Sequence, residues 1–194
     1  LIAKAAAYSD LGQLEDALKT ALESYEITLK SQSEFKDIID IKTVHAESNL
    51  ALSNIERLSK AYPSATQYAE NALNTIEQMC TVSPSNVNYR RLKAEALQSL
   101  SFIALNRNDK PAALEAAAKS QAALDTVFVD QPMNLQIIPI QLLTHAAMYA
   151  ALDGVSQPET RAQLKSHIVR SQQELQSANP THPALKRVEQ LLSD

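Results

Sequence analysis

The chain has 194 residues, enough for one domain with a core or for one short solenoid. Hydrophobic residues make up 45% but aromatics only 5%, with no tryptophan and two glycines; alanine and leucine carry the apolar mass, and a strand-and-hairpin fold is excluded. A net charge of −4, with acids and bases mixed and no basic stripe, argues against a nucleic-acid partner.

In chain order, Leu1 to Asp10 reads as the last turns of a helix stopped at Gly12. Gln13 to about Ser31 is predicted as a second helix, with Leu14, Ala17, Leu18, Ala21, Leu22, Tyr25 and Leu29 on one face. Phe35 to Lys60 is a third, striped by Ile41, Val44, Leu52 and Ile55 and ended by Tyr62-Pro63-Ser64. Ser64 is expected to cap a fourth helix, Ala65 to about Val82, which Ser83-Pro84-Ser85 breaks. From Val87 to Val127 two helices fold back on each other at Asn106 to Lys110. The second of these starts on Asp109, a capping side chain, followed by Pro111 in the first turn, where a missing N–H costs nothing. Met133 to Leu152 is a seventh helix, with a bend expected at Pro139 if that residue falls beyond the first turn. Gln157 to Ala178 and Pro183 to Leu192 complete the set, and the class is all-α.

Gln131 to Leu152 is the longest run without a charge. Its glutamines, Asn134, Pro139, Thr144 and His145 make it too polar for a bilayer span and suit it to a helix between two others. The lone Cys80 can form no internal disulfide and reads as a small buried hydrophobe. The compartment is left open. The chain starts inside an apparent helix, and not at methionine, so it is expected to be a piece cut from something longer.

Pro84, Pro132 and Pro180 are evenly spaced, each just after a predicted helix, and the inner turns Gly12, Tyr62, Asn108 and Gly154 alternate with them. A period of about 48 residues, each unit two antiparallel helices, is the mark of a helical solenoid. The units fall at about 1–33, 34–84, 85–132 and 133–180, followed by a capping helix at 181–194.

The residues that space these units resemble the tetratricopeptide repeat family. Leu97, Leu100, Ser101, Ala104, Asn108, Ala113 and Pro132 follow its order of large, small, turn, alanine and proline positions. Leu143, Ala146, Ala147, Ala150, Gly154 and Pro180 follow it again, and Ala5, Tyr8, Gly12 and Ala17 do so more loosely, with Lys4 where leucine is usual. The repeat is longer than the family's usual length of about 34. The resemblance implies a right-handed α-α superhelix, TPR-like, of four hairpins plus the cap, with a concave groove that binds a protein or peptide. Pro84-Ser85-Asn86-Val87-Asn88-Tyr89-Arg90-Arg91 and Thr181-His182-Pro183-Ala184-Leu185 also resemble the C-terminal repeat regions of bacterial serine/threonine kinases and winged-helix regulators.

No chemistry-bearing constellation stands out. His45, His145, His167 and His182 lie apart, without a second ligand at metal spacing. The two glycines, Gly12 and Gly154, stand at opposite ends of the chain and build no phosphate loop, and no serine sits in a G-x-S-x-G elbow. No metal, cofactor or catalytic residue is expected. Binding remains, and in stacked hairpins the first helix of each unit lines the groove. Its outward positions are Asn49 (with Ser53), Glu95, Gln98, Phe102, Asn106, Gln141, Thr144 and Met148, whose amides suit an extended peptide backbone. The groove is expected to lack a lysine/arginine clamp for a carboxylate. Arg90, Arg91 and Lys93 form the one basic cluster, at a helix start where cations fit poorly, and so invite an acidic partner. Lys186, Arg187, Glu189 and Gln190 read as the solubilising outer face of the cap. The alternative function is self-association, a homodimer joining larger signalling chains through the open end at Leu1 or the last hairpin, with the polar face of the final helix arguing against pairing there.

Overall fold

The computed structural model describes residues 1–35, 38–130, 135–152 and 157–193. Among them the fold is all-helical, built from α1 (Ile2–Asp10), α2 (Leu14–Glu34), α3 (Ile39–Leu58), α4 (Tyr62–Val82), α5 (Val87–Asn106), α6 (Lys110–Asp130), α7 (Ile138–Ala151), α8 (Pro158–Ala178) and α9 (Pro183–Ser193). No helix among these residues is long and apolar enough to cross a membrane.

Each helix packs on the next, and α1, α3, α5, α7 and α9 also pack on one another in series. The odd-numbered helices therefore form an inner layer and α2, α4, α6 and α8 an outer one. The four outer helices are equal in length and begin at Leu14, Tyr62, Lys110 and Pro158, one constant period apart. The inner helices α3, α5 and α9 begin in the same register.

That register reaches single residues. The turns between inner and outer helices place Gly12 (φ 75), Lys60 (φ 62) and Asn108 (φ 59) in the left-handed region, again one period apart. After each of them, an N–H closes on the carbonyl five residues back: Gln13 to Tyr8, Ala61 to Glu56 and Asp109 to Ala104, at 2.9, 2.8 and 2.9 Å. This bond captures a carbonyl that the helix end leaves without an intrahelical partner. Ala17 and Ala21, Ala65 and Ala69, and Ala113 and Ala117 recur at the same step and are buried. Alanine there lets each outer helix lie close on its inner partner, and Ser101 uses the proximity to donate its hydroxyl to the Ala113 carbonyl at 2.8 Å. One unit on, these positions are Tyr149 and Arg161, and the guanidinium stacks 4.2 Å from the ring centroid. A large–large cation–π pair replaces a small–small contact.

The core divides by interface. Ala5, Ala17, Ala21, Leu52 and Ile55 join α1, α2 and α3. Leu50, Ile76 and Leu92 join α3, α4 and α5. Leu124, Val127 and Ile140 bring α6 to α7, and Leu142, Ile168, Ala184 and Val188 bind α7, α8 and α9. Hydroxyl pairs recur inside it: Ser24 meets Ser48 at 3.0 Å and, two units later, Ser120 meets Thr144 at 3.1 Å. In the unit between, the equivalent residues are the buried alanines Ala72 and Ala96.

Several local expectations need correction. α4 begins at Tyr62, with Ala61 before it and no side-chain cap, so Ser64 lies inside the first turn with Pro63 and caps nothing. α7 begins at Ile138 with Pro139 in its first turn, where proline needs no hydrogen bond and makes no bend. Asp109 does cap α6, accepting from the Ala112 N–H at 3.2 Å. Pro132 and Gly154, used in the sequence reading, lie outside the described residues.

Candidate functional site

The inner layer curves far enough for its last helix to face its first. Arg187 on α9 donates to Asp10, the last residue of α1, at 3.5 Å, joining the two ends of the chain. Beside this contact lie two adjoining half-open pockets, the lobes of one cavity open to solvent, of about 860 and 720 Å³. Both lobes share Asp10, Arg57, Phe102, His182, Pro183 and Arg187. Volumes of this size suit a bound segment or a sizeable ligand.

Arg57, in the last turn of α3, stands where the lobes meet. Its Nη2 donates to Asn54 Oδ1 at 2.8 Å one turn earlier, and its Nη1 to Asn106 Oδ1 at 3.2 Å on α5. The Phe102 ring lies 5.5 Å from the guanidinium. No carboxylate among the described residues stands within ion-pair distance of it. Burial pulls its pKa down to about 10, the facing charge of Arg187 adds to the fall, and Tyr62 opposes it.

The smaller lobe is electrostatically balanced. Arg91 donates to Glu95 at 2.9 Å and to Asn88, and stands 3.9 Å from Glu47. Solvent touches 40% of the Glu95 side chain, yet the lobe walls surround it. Burial therefore raises its carboxyl pKa, Arg91 pulls back, and Glu47 adds to the rise. The α1 wall of this lobe is lined by small residues, Ala3 and Ala6.

The sequence candidates part ways here. Glu95, Phe102 and Asn106 line the cavity. Asn49 is fully buried in α3, its amide donating to the His45 carbonyl at 2.9 Å, and Thr144 is fully buried between α5, α6 and α7. Gln98 keeps 7% exposure at the cavity floor, and its amide turns inward to the Ile140 carbonyl at 2.6 Å and to Thr144 Oγ1 at 3.2 Å. Gln141 and Met148 are half-buried and line neither lobe. The expectation that these polar residues face outward treats every interruption of an apolar stripe as surface, and here three of them bond within the interior.

Two further expectations are overturned. Arg90, Arg91 and Lys93 are all engaged within the chain, by Asp130 and the Thr126 carbonyl, by Glu95, and by Glu77. The polar side of α9 is not an outer face: Lys186, Arg187, Glu189 and Gln190 line the larger lobe. With Arg57 they supply the cations that the groove was expected to lack. Register held the missed signal. Asp10 and Asn106 stand two periods apart at the ends of inner helices, and Arg57 lies one position before the residue midway between them.

Among the described residues no group of three or more histidine, cysteine or acidic side chains could hold a metal ion. Comparison of the chain with family models, curated proteins and solved structures returned no match.

Proposed function

We propose that this is a non-catalytic interaction module, a TPR-like superhelix that takes a segment of a partner protein into the half-open cavity lined by its inner helices. The observation that carries the reading is the two-lobed cavity itself, walled by α1, α3, α5 and α9 and reached by Leu143 of α7. It combines an apolar lining of Leu50, Leu92 and Phe102 with a polar lining of Glu47, Asn54, Glu95 and Ser99. An extended peptide needs both, side-chain pockets and hydrogen-bonding groups. The constant register and the alanine-lined hairpins support kinship in architecture with such repeats.

The test is selection from a random-peptide display library, followed by binding to Ala6→Trp. Ala6 is exposed on the cavity wall, so tryptophan fills the lobe without entering the core. Selected peptides should lose binding to Ala6→Trp while its circular dichroism and melting stay unchanged. Undiminished binding would place the partner surface elsewhere.

A second reading, self-association, draws on exposed apolar residues around α2 and its connection to α3: Ile27, Leu29, Phe35, Ile38 and Val44. Light scattering across concentration separates the two. A mass constant at the 21.3 kDa of one chain removes self-association.

A further inference from the structure

We propose that Arg57 and Arg187 together read an acidic side chain of the bound peptide, and that Asp10, which meets Arg187 alone, stands in for it on that side in the free chain. The inference rests on the cavity being the peptide site, and three observations carry it.

The first is an imbalance of charge. The larger lobe is lined by Arg57, Lys186 and Arg187 against Asp10 and Glu189, in a protein whose net charge is −4. Lys186 and Arg57 both lack an ion pair among the described residues, and of the two Lys186 is exposed while Arg57 is half-buried. Arg57 spends its two terminal nitrogens on amide oxygens, which are neutral acceptors, although a guanidinium offers five donors in a fork shaped for a carboxylate.

The second is the looseness of the acid that meets Arg187. Arg187 and Asp10 meet at 3.5 Å, with 33% and 37% of their side chains exposed. Arg91 with Glu95 and Lys93 with Glu77 close to 2.9 Å, and among the described residues only Arg91 with Glu47, at 3.9 Å, is looser than the Arg187 pair. Asp10 is also the last residue of α1, where the helix dipole disfavours a negative charge. It is held by Arg187, but weakly, and an incoming carboxylate displaces it at small cost.

The third is the mutual repulsion of the cations. Burial and the Arg187 charge both hold the Arg57 pKa below its ordinary value, so a carboxylate placed between the two relieves both effects. Phe102 and Leu105 then offer apolar contact to the stem of the acidic residue or to its neighbours.

The probes are two synthetic peptides, acetyl-Ala-Glu-Ala-Glu-Ala-amide and its twin with glutamine for glutamate. The readout is the side-chain Nε–Hε resonances of Arg57 and Arg187 by NMR. The glutamate peptide should shift both resonances and the glutamine peptide neither. Asp10→Asn should tighten the glutamate peptide by about threefold or more, the worth of one weak ion pair, and leave the glutamine twin unchanged. Arg57→Gln and, separately, Arg187→Gln should abolish the response, with amide spectra confirming that each variant is folded.

An ion pair that serves only the fold predicts the opposite for Asp10→Asn, namely lost stability and no gain in affinity, and that result overturns the proposal. Equal shifts from both peptides overturn acid recognition and leave the cavity reading intact. No shift from either also overturns it, and the display selection then decides the cavity reading by itself.

Discussion

Replacing Gln98 tests which way the inner face of α5 looks. The side chain is 7% exposed and its amide makes two hydrogen bonds into α7, at 2.6 and 3.2 Å. Each such bond contributes roughly 1 kcal/mol net. Truncation to alanine also leaves a small void between α5 and α7, worth about 1 kcal/mol more. Gln98→Ala should therefore cost about 3 kcal/mol, which in a chain of this length lowers the melting temperature by roughly 6–12 °C. Gln98→Met keeps the volume and deletes only the hydrogen bonds, so it should lose about 2 kcal/mol or slightly less. Urea denaturation followed by circular dichroism, with the slope checked for constancy, reads both. A Gln98→Ala protein that melts like the parent but loses its peptide would refute the placement and return Gln98 to the binding surface.

Other expectations follow from burial and backbone geometry. The His145 pKa is lowered to about 4, chiefly by burial and then by His167, and its Nδ1 is buried without a partner among the described residues. The unfolded chain takes up that proton near 6.5, so stability is complete above pH 6.5. It then drains as pH falls toward about 4, at up to roughly 1.4 kcal/mol per pH unit. His145→Leu copies Leu97 of the preceding unit and should reduce the slope in that window in melts taken at stepped pH. His45 and His182, both also lowered first by burial, still contribute in the same direction, and the raised Glu95 carboxyl contributes in the opposite one. Gly12→Ala meets no atom within 4 Å, so its cost is the left-handed torsion alone, about 1 kcal/mol. Lys60→Gly, at the equivalent turn, should gain a similar amount, about 1 kcal/mol, in the same denaturation assay.

What the sequence disclosed and what it hid separate along a physical line. Helices and their pairing follow from local rules. Proline after three of the four outer helices, alanines at three- and four-residue steps and a capping aspartate at 109 act within one or two turns of chain. The spacing of Pro84, Pro132 and Pro180 equals the spacing between the starts of the outer helices. The candidate site depends on curvature. Nothing near Asp10 announces Arg187, because their meeting follows from small rotations summed over the intervening helices. The polar residues at 98 and 144 misled for a related reason. Ser48, Ala96 and Thr144 hold one structural position, and the same inward place is filled by hydroxyl, methyl and hydroxyl in turn. Periodicity assigns a face from apolar character, and a serine bonded to a serine is invisible to it.

The contact between α1 and α9 carries a consequence for how such a chain can change. An open stack of hairpins lengthens or shortens by whole units, since each unit needs only its neighbours. Here, inserting one more unit would carry α9 past α1 and leave Arg187 without Asp10, while removing one would leave a gap between them. Duplication, the ordinary route by which repeats multiply, thus meets a geometric stop, and the arc tolerates substitution within its units more readily than any change in their number.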